Sequence, residues 1–264
     1  MVRDFYLRKV YERLKGDWVT KWNSDIVDSF NTRLDGLTPQ NVLDLTVPWN
    51  PSSWLDVWNN NPALPGNEII AKFAVELAVV MRPRDATRVS RQDIFTLAAN
   101  GPLEAFLGAI VFGYNATDPR GPWRLTQMLQ NTPNIEDIVQ NTHDHLSRGE
   151  LDQAYKSMWK KRKGKTKAQV RGCSTSFVTK FLYFAGYELP VLSVPGAANV
   201  RPLIFDQRVC NALARLPTAP VVSASPNDLS THQYVEYCRW CESTALQKGT
   251  DAAAVEYALF RAVE

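Results

Sequence analysis

The sequence predicts a mainly α-helical protein. Apolar residues recur at helical spacing in segment after segment, as in Trp18, Trp22, Ile26 and Phe30. Continuous two-residue alternation, the mark of half-buried strands, is scarce. The breaks between periodic segments fall at Pro and Gly, as at Pro39, Pro83 and Gly101-Pro102.

The first segment, Met1 to Lys15, reads as a helix that packs through Phe5, Val10, Tyr11 and Leu14. It alternates charge with apolar residues, so it is not read as a signal peptide. Asp17 to Leu37 carries the tryptophan stripe, and Pro39 and Thr46-Val47-Pro48 interrupt the pattern. Trp49 to Gly66 is rich in Pro, Asn and Trp. Its indoles Trp49, Trp54 and Trp58 either cap the core or offer faces on which bases stack. Asn67 to Arg82 is helical, with Ile69, Ile70, Phe73, Leu77 and Val80 inward. Ser90 with Asp93 reads as a cap, and Leu103 to Phe112 is apolar on most faces and therefore central.

Shorter helices are expected over Trp123 to Gln130 and Asn134 to Arg148. His143 and His145 point to different faces of the latter, which suits surface or capping roles and no metal site. Leu151 to Lys163 reads as a helix that turns strongly basic. Asp228 to Lys248 and Asp251 to Val263 close the chain as amphipathic helices. At 264 residues the chain is one compact helical unit with room for two lobes. One spans about 1–100 with the C-terminal helices, and the other about 101–215. No apolar run approaches the roughly 18 residues needed to cross a bilayer, so a cytoplasmic location without membrane attachment is expected.

The formal net charge of +3 is small, but its distribution is not even. Eight basic residues fall between Lys156 and Arg171, among them Lys163, Lys165 and Lys167. No Asp or Glu occurs from Gln153 through Tyr187. Such a run is a solvated helix end or a grip on a nucleic-acid backbone. It leads into a small-residue corner, Gly172-Cys173-Ser174-Thr175-Ser176, and then an apolar helix, Phe177 to Ala185. Small residues before a helix let backbone amides approach a phosphate, and the helix end favours the negative charge. Ser176, Lys180 and Tyr183 form a polar strip on this helix. Lys180 is either a surface lysine at the edge of a core helix or part of a strip facing a substrate cleft. After a Pro- and Val-rich loop, Asp206 opens another apolar helix, where it is a cap or a poised carboxylate. Arg208 follows two residues later, exposed or within reach of a phosphate.

The segments GCSTSFVTKFLYFAG, from Gly172, and PLIFDQRVCNAL, from Pro202, resemble the helix-hairpin-helix DNA glycosylases. The nearest branch is the bacterial 8-oxoguanine glycosylase-like one. The two segments cover about a tenth of the chain, and the corner departs from the usual Leu-Pro-Gly-Val-Gly. The resemblance implies a helix-hairpin-helix DNA glycosylase-like fold, two helical lobes flanking a DNA-binding cleft. It implies Asp206 as the catalytic carboxylate. Gly172, Ser174, Thr175, Ser176, Lys163, Lys165, Lys167, Arg171 and Arg208 would hold double-stranded DNA containing a modified base.

Bifunctional members carry a lysine just after the hairpin glycines, where this chain has Ser176. A serine forms no Schiff base. The resemblance therefore implies a monofunctional hydrolase in which Asp206 supports attack by water, with Lys180 one turn beyond Ser176 as substrate contact or nucleophile. Some members of the branch look like phage-defence enzymes that remove glucosylated hydroxymethylcytosine. That base, with 8-oxoguanine second, is the expected target. A non-catalytic DNA-binding protein built on the same hairpin is the alternative class.

Cys173, Cys210, Cys238 and Cys241 lack the spacing of an iron–sulfur or zinc site, and reduced, buried thiols are expected. No metal or organic cofactor is implied, and a monomer is the expected state.

Overall fold

A computed structural model describes residues 17–49, 54, 56, 60, 67–81, 87–114, 120–162, 165–189, 200–216, 219–220, 222 and 225–263. The helix expected over Met1 to Lys15 lies outside them, as do Trp58 and Lys163.

The chain opens with α1 (Asp17–Leu34) and α2 (Pro39–Leu43), then β1 (Thr46–Pro48). The proline that breaks the helical pattern at this point thus ends a short strand. It pairs antiparallel with β2 (Arg88–Ser90), Val47 opposite Val89. Between the strands lies α3 (Asn67–Met81). Then come α4 (Arg91–Ala98), α5 (Pro102–Gly113), α6 (Arg120–Gln130), α7 (Ile135–Ser147) and α8 (Leu151–Met158). Ser90 and Asp93 close a reciprocal capping box on α4, as their spacing suggested.

The basic run does not continue α8 as a helix. It forms a two-stranded antiparallel ribbon, β3 (Trp159–Arg162) and β4 (Lys165–Ala168). After Trp159 the chain offers only Lys and Arg up to Gly164, so no apolar residue falls at helical spacing to extend the buried stripe. The ribbon is closed onto the helix end by the Gln169 N–H, which donates to the Met158 carbonyl at 2.8 Å.

The remaining helices are α9 (Thr175–Gly186), α10 (Gln207–Leu213), α11 (Thr231–Lys248) and α12 (Ala252–Ala262). A 3-10 turn, Pro226–Asp228, precedes α11, so that helix starts three residues later than its apolar pattern indicated, at the Ser230 cap.

Two apolar helices occupy the centre. α5 and α9 pack along each other, with Phe106 edge-on to Phe181 and Phe112 edge-on to Phe184. α4 packs on both. The stripe of α1 continues through Ile26, Phe30 and Leu34, all buried, and α1 lies against α12 at the other end of the chain. Trp49 and Trp54 are buried in the core rather than presented to a ligand. All four cysteines are buried thiols. No described helix is long and apolar enough to cross a membrane.

Candidate active site

Asp206 is placed by its approach. Pro202 to Phe205 is buried and belongs to no helix or strand, so its backbone groups need partners that no regular element supplies. Three side-chain hydroxyls provide them. Tyr234 donates to the Leu203 carbonyl at 2.9 Å and Tyr237 to the Ile204 carbonyl at 2.8 Å. Thr179 of α9 serves Phe205 twice, accepting from its amide at 3.0 Å and donating to its carbonyl at 3.2 Å. Upstream, Arg201 pairs with Glu242 at 2.8 Å and Asp251 at 2.9 Å. Both ends of the segment are thereby tied to α9, α11 and the start of α12.

The Asp206 carboxylate divides its two oxygens. Oδ1 caps α10, accepting from the amides of Arg208 at 3.0 Å and Val209 at 3.1 Å. Oδ2 faces Lys180 Nζ at 3.7 Å. Cap and poised carboxylate are therefore not alternatives, because one oxygen serves each purpose. The Lys180 and Asp206 side chains are 10% and 17% exposed, enclosed but within reach of solvent.

Lys180 is thus no surface lysine. The strip it was expected to share with Ser176 and Tyr183 is largely interior: Ser176 is half-buried, and Tyr183 is buried. The Tyr183 hydroxyl accepts from Arg91 Nη1 at 3.3 Å. Burial pushes this phenol up to about 12.

The small-residue corner precedes α9. Gly172 has φ of +82° and is exposed, a left-handed conformation that suits glycine. The neighbouring Arg171 side chain is exposed, while its amide donates to Thr132 Oγ1 at 3.1 Å, fixing the corner to the end of α6. Ser174 is the N-cap residue in an extended conformation, and its side chain makes no capping bond. Thr175 is fully buried, so its hydroxyl faces inward and only its amide belongs to the corner.

Lys165 and Lys167 lie on β4, where the register sets Lys167 opposite Lys160 and Lys165 opposite Arg162. Arg208 is exposed, with its guanidinium 4.7 Å above the Phe260 ring.

Two charged groups escaped the sequence reading, as did the hydroxyls of Thr179, Tyr234 and Tyr237. Arg91 and Glu256 form a fully buried ion pair, with Arg91 Nη1 on Oε2 at 2.7 Å and Nη2 on Oε1 at 3.1 Å. Burial holds the Glu256 carboxyl above the usual carboxylate range, against the pull of Arg91. Burial lowers and Glu256 raises the Arg91 guanidinium, and the net effect is upward. An arginine does not give up its proton and both carboxylate oxygens are matched, so the pair is ionic at neutral pH. The available signal was a lone Glu in the run Ala252 to Leu259, otherwise almost wholly apolar.

A helical core, a glycine corner opening a central helix and a capped, half-enclosed carboxylate define the class: a helix-hairpin-helix DNA glycosylase-like fold. The chain belongs to the family described as "Putative 8-oxoguanine DNA glycosylase OGG-like protein", whose model matches residues 40–260. No curated protein and no solved structure matches the chain.

Proposed function

We propose that this protein is a monofunctional DNA glycosylase that excises a modified base and leaves an abasic site. The observation that carries the reading is the Asp206 carboxylate. One oxygen is fixed by two amides, the other is 3.7 Å from Lys180, and the segment before it is held by three hydroxyls.

The glycosidic bond of a stacked base is out of reach, so the nucleotide rotates out of the duplex. The amides at the start of α9, Gly172, Ser174, Thr175 and Ser176 among them, take a backbone phosphate. The Ser174 side chain makes no capping bond to the first turn of α9, which supports that use. The ribbon residues Lys160, Arg162, Lys165 and Lys167 add positive charge, with Lys163, Arg171 and Arg208 as further phosphate contacts. Like charges opposite each other weaken a ribbon on its own, and an anion offsets that cost. As the C1′–N bond breaks, positive charge grows on the sugar. Asp206 stabilises it and orients the water that adds to C1′, while the base leaves with its electron pair and is protonated. A fixed carboxylate needs no reorganisation at that moment, the chief electrostatic advantage of such a site.

The base we assign is glucosylated hydroxymethylcytosine in phage DNA, which makes the activity a defence against infection. Ser176, in place of the lysine of bifunctional members, supports this departure from oxidised-purine repair. The buried Trp49 and Trp54 lend it nothing. A second reading, 8-oxoguanine, is favoured by the family's description. A different nucleophile, Lys180 in place of water, is favoured by its closeness to Asp206.

One experiment separates these readings. Duplexes each bearing a single modified base are incubated with the protein, released bases are identified by mass spectrometry, and borohydride is added in parallel. We expect the glucosylated base and no covalent adduct. Release of 8-oxoguanine assigns the second base, and an adduct abolished by Lys180→Ala assigns the lysine as nucleophile. No release from any duplex overturns the enzyme reading.

A further inference from the structure

The glycine corner from which α9 starts is braced by α6. Near the start of α6, a Cβ at Gly121 would stand 3.2 Å from Tyr114, whose ring packs on Phe177 in the first turn of α9. Further along, Met128 lies against Gly172, where a Cβ would stand 3.7 Å from its Cγ. Just past the helix, Thr132 Oγ1 accepts from the Arg171 amide at 3.1 Å. The inner face of α6, with Leu125 and Leu129 also buried, is thus committed to the core and the corner.

The outer face carries a different chemistry. Trp123 is 56% exposed, and Arg124 beside it is exposed. An indole left in water forgoes a large gain from burial. No other large apolar side chain of α6 is exposed, so the helix itself offers no broad apolar patch of the kind that docks a protein. The surrounding sequence also holds no counter-charge for the guanidinium: no Asp or Glu occurs from Pro119 through Ile135. Trp123 stands five residues before Met128, about 7.5 Å along the helix axis and so about the rise of two base pairs. A strand held at the glycine corner has the indole within about two nucleotides of its grip.

We propose that the outer face of α6 is a further contact with DNA, in which the Trp123 indole stacks on a base that has lost its partner and Arg124 pairs with a phosphate beside it. The proposal rests on the glycosylase reading, which supplies such a base: rotating one nucleotide out of the duplex leaves the opposite base unpaired. Paired bases in a duplex have their faces covered by their neighbours, whereas an orphan base exposes a face to an aromatic ring of any sequence context. The guanidinium acts differently, because a phosphate contact carries no information about pairing.

The test uses the full chain and two labelled duplexes of one sequence. One is fully paired, and the other holds a tetrahydrofuran abasic analogue that leaves the opposite base without a partner. Affinities are measured by fluorescence anisotropy over a series of salt concentrations. Both side chains are exposed, so Trp123→Ala, Trp123→Phe and Arg124→Gln should keep the wild-type urea midpoint. Trp123→Ala is expected to weaken binding to the abasic duplex at least about fivefold, the low end of what one stacked base contributes, and to the paired duplex less than about twofold. Trp123→Phe, which keeps a ring, should retain most of the affinity. Arg124→Gln should weaken both duplexes alike and make the slope of log affinity against log salt shallower by about 0.9.

Equal effects of Trp123→Ala on the two duplexes, or none on either, overturn the stacking role. A wild type that is dimeric, and becomes monomeric in Trp123→Ala with DNA affinity unchanged, places a second copy on this face and likewise overturns it. The assay needs no base to be excised. A wild type that frees no base while the expected binding pattern holds defeats the enzyme reading and leaves the contact standing. A wild type that frees base while Trp123→Ala binds both duplexes as wild type does defeats the contact alone.

Discussion

Thr179 fixes the approach to the proposed active site from within α9. Its hydroxyl accepts from the Phe205 amide and donates to the Phe205 carbonyl, one residue before the carboxylate. Thr179→Val keeps the volume and removes both bonds, leaving a buried amide unpaired at a cost of about 1–3 kcal/mol. We expect a lower urea midpoint and slower base release, with DNA affinity little changed. Thr179→Ser should restore most of both. A valine variant with unaltered release would mean that Asp206 is placed by its cap alone. At this scale the sequence exposed Asp206 and Lys180, each a charge among apolar neighbours. It concealed Glu256, whose carboxylate acquires meaning only when α4, far away in the chain, brings Arg91 to it. Thr179, Tyr234 and Tyr237 were equally hidden, since their carbonyl and amide partners belong to a segment with no regular structure.

The element that positions the chemistry is α9, and its entry depends on a glycine elsewhere. A Cβ at Gly113, the end of α5, would stand 2.3 Å from Phe177 Cε1. Phe177 lies in the first turn of α9 and packs against Tyr114 at 4.8 Å between ring centroids. Gly113→Ala must push this ring, and with it the start of α9, at a cost of about 1–3 kcal/mol for overpacking. Thermal unfolding should show the loss, and base release should fall with it. Gly36→Ala, where a Cβ meets nothing within 4 Å, serves as the control and should match wild type. Equal stability of the two variants would contradict this packing account. The helices themselves were largely legible because their apolar stripes are long and their caps explicit. The basic ribbon was not: lysine and arginine are good helix formers, so their run looked like a continuation of α8. The fold-back followed from what the run lacks, an apolar stripe to bury.

Burial across the molecule favours the protonated form of its thiols and of several phenols. Burial pushes the Cys173 and Cys238 thiols up to about 12 and Cys210 to about 11, and carries Tyr234 and Tyr237 well above the ordinary tyrosine range. In the unfolded chain, thiols release protons near pH 8.5 and phenols near pH 10. Between those values and the folded ones, the unfolded state binds fewer protons than the native state. Stability must therefore fall as pH rises above about 8.5. Urea midpoints measured from pH 7.5 to 10.5 should decline, and native protein at pH 8 should resist thiol reagents that label all four cysteines after denaturation. A flat profile with rapid native labelling would contradict the buried arrangement. Mainly helical architecture was readable from composition and periodicity. The closure of the chain, with α1 against α12, was not, because an apolar stripe states that a face is buried and not against what.

Asp206→Asn tests the central claim most directly, with base release and duplex affinity measured on the same preparation. The asparagine can still cap α10 through its side-chain oxygen but cannot stabilise a sugar cation by charge. The account predicts duplex binding close to wild type and base release slowed by at least about a hundredfold, the scale of losing a fixed electrostatic contact. Release at the wild-type rate would contradict it.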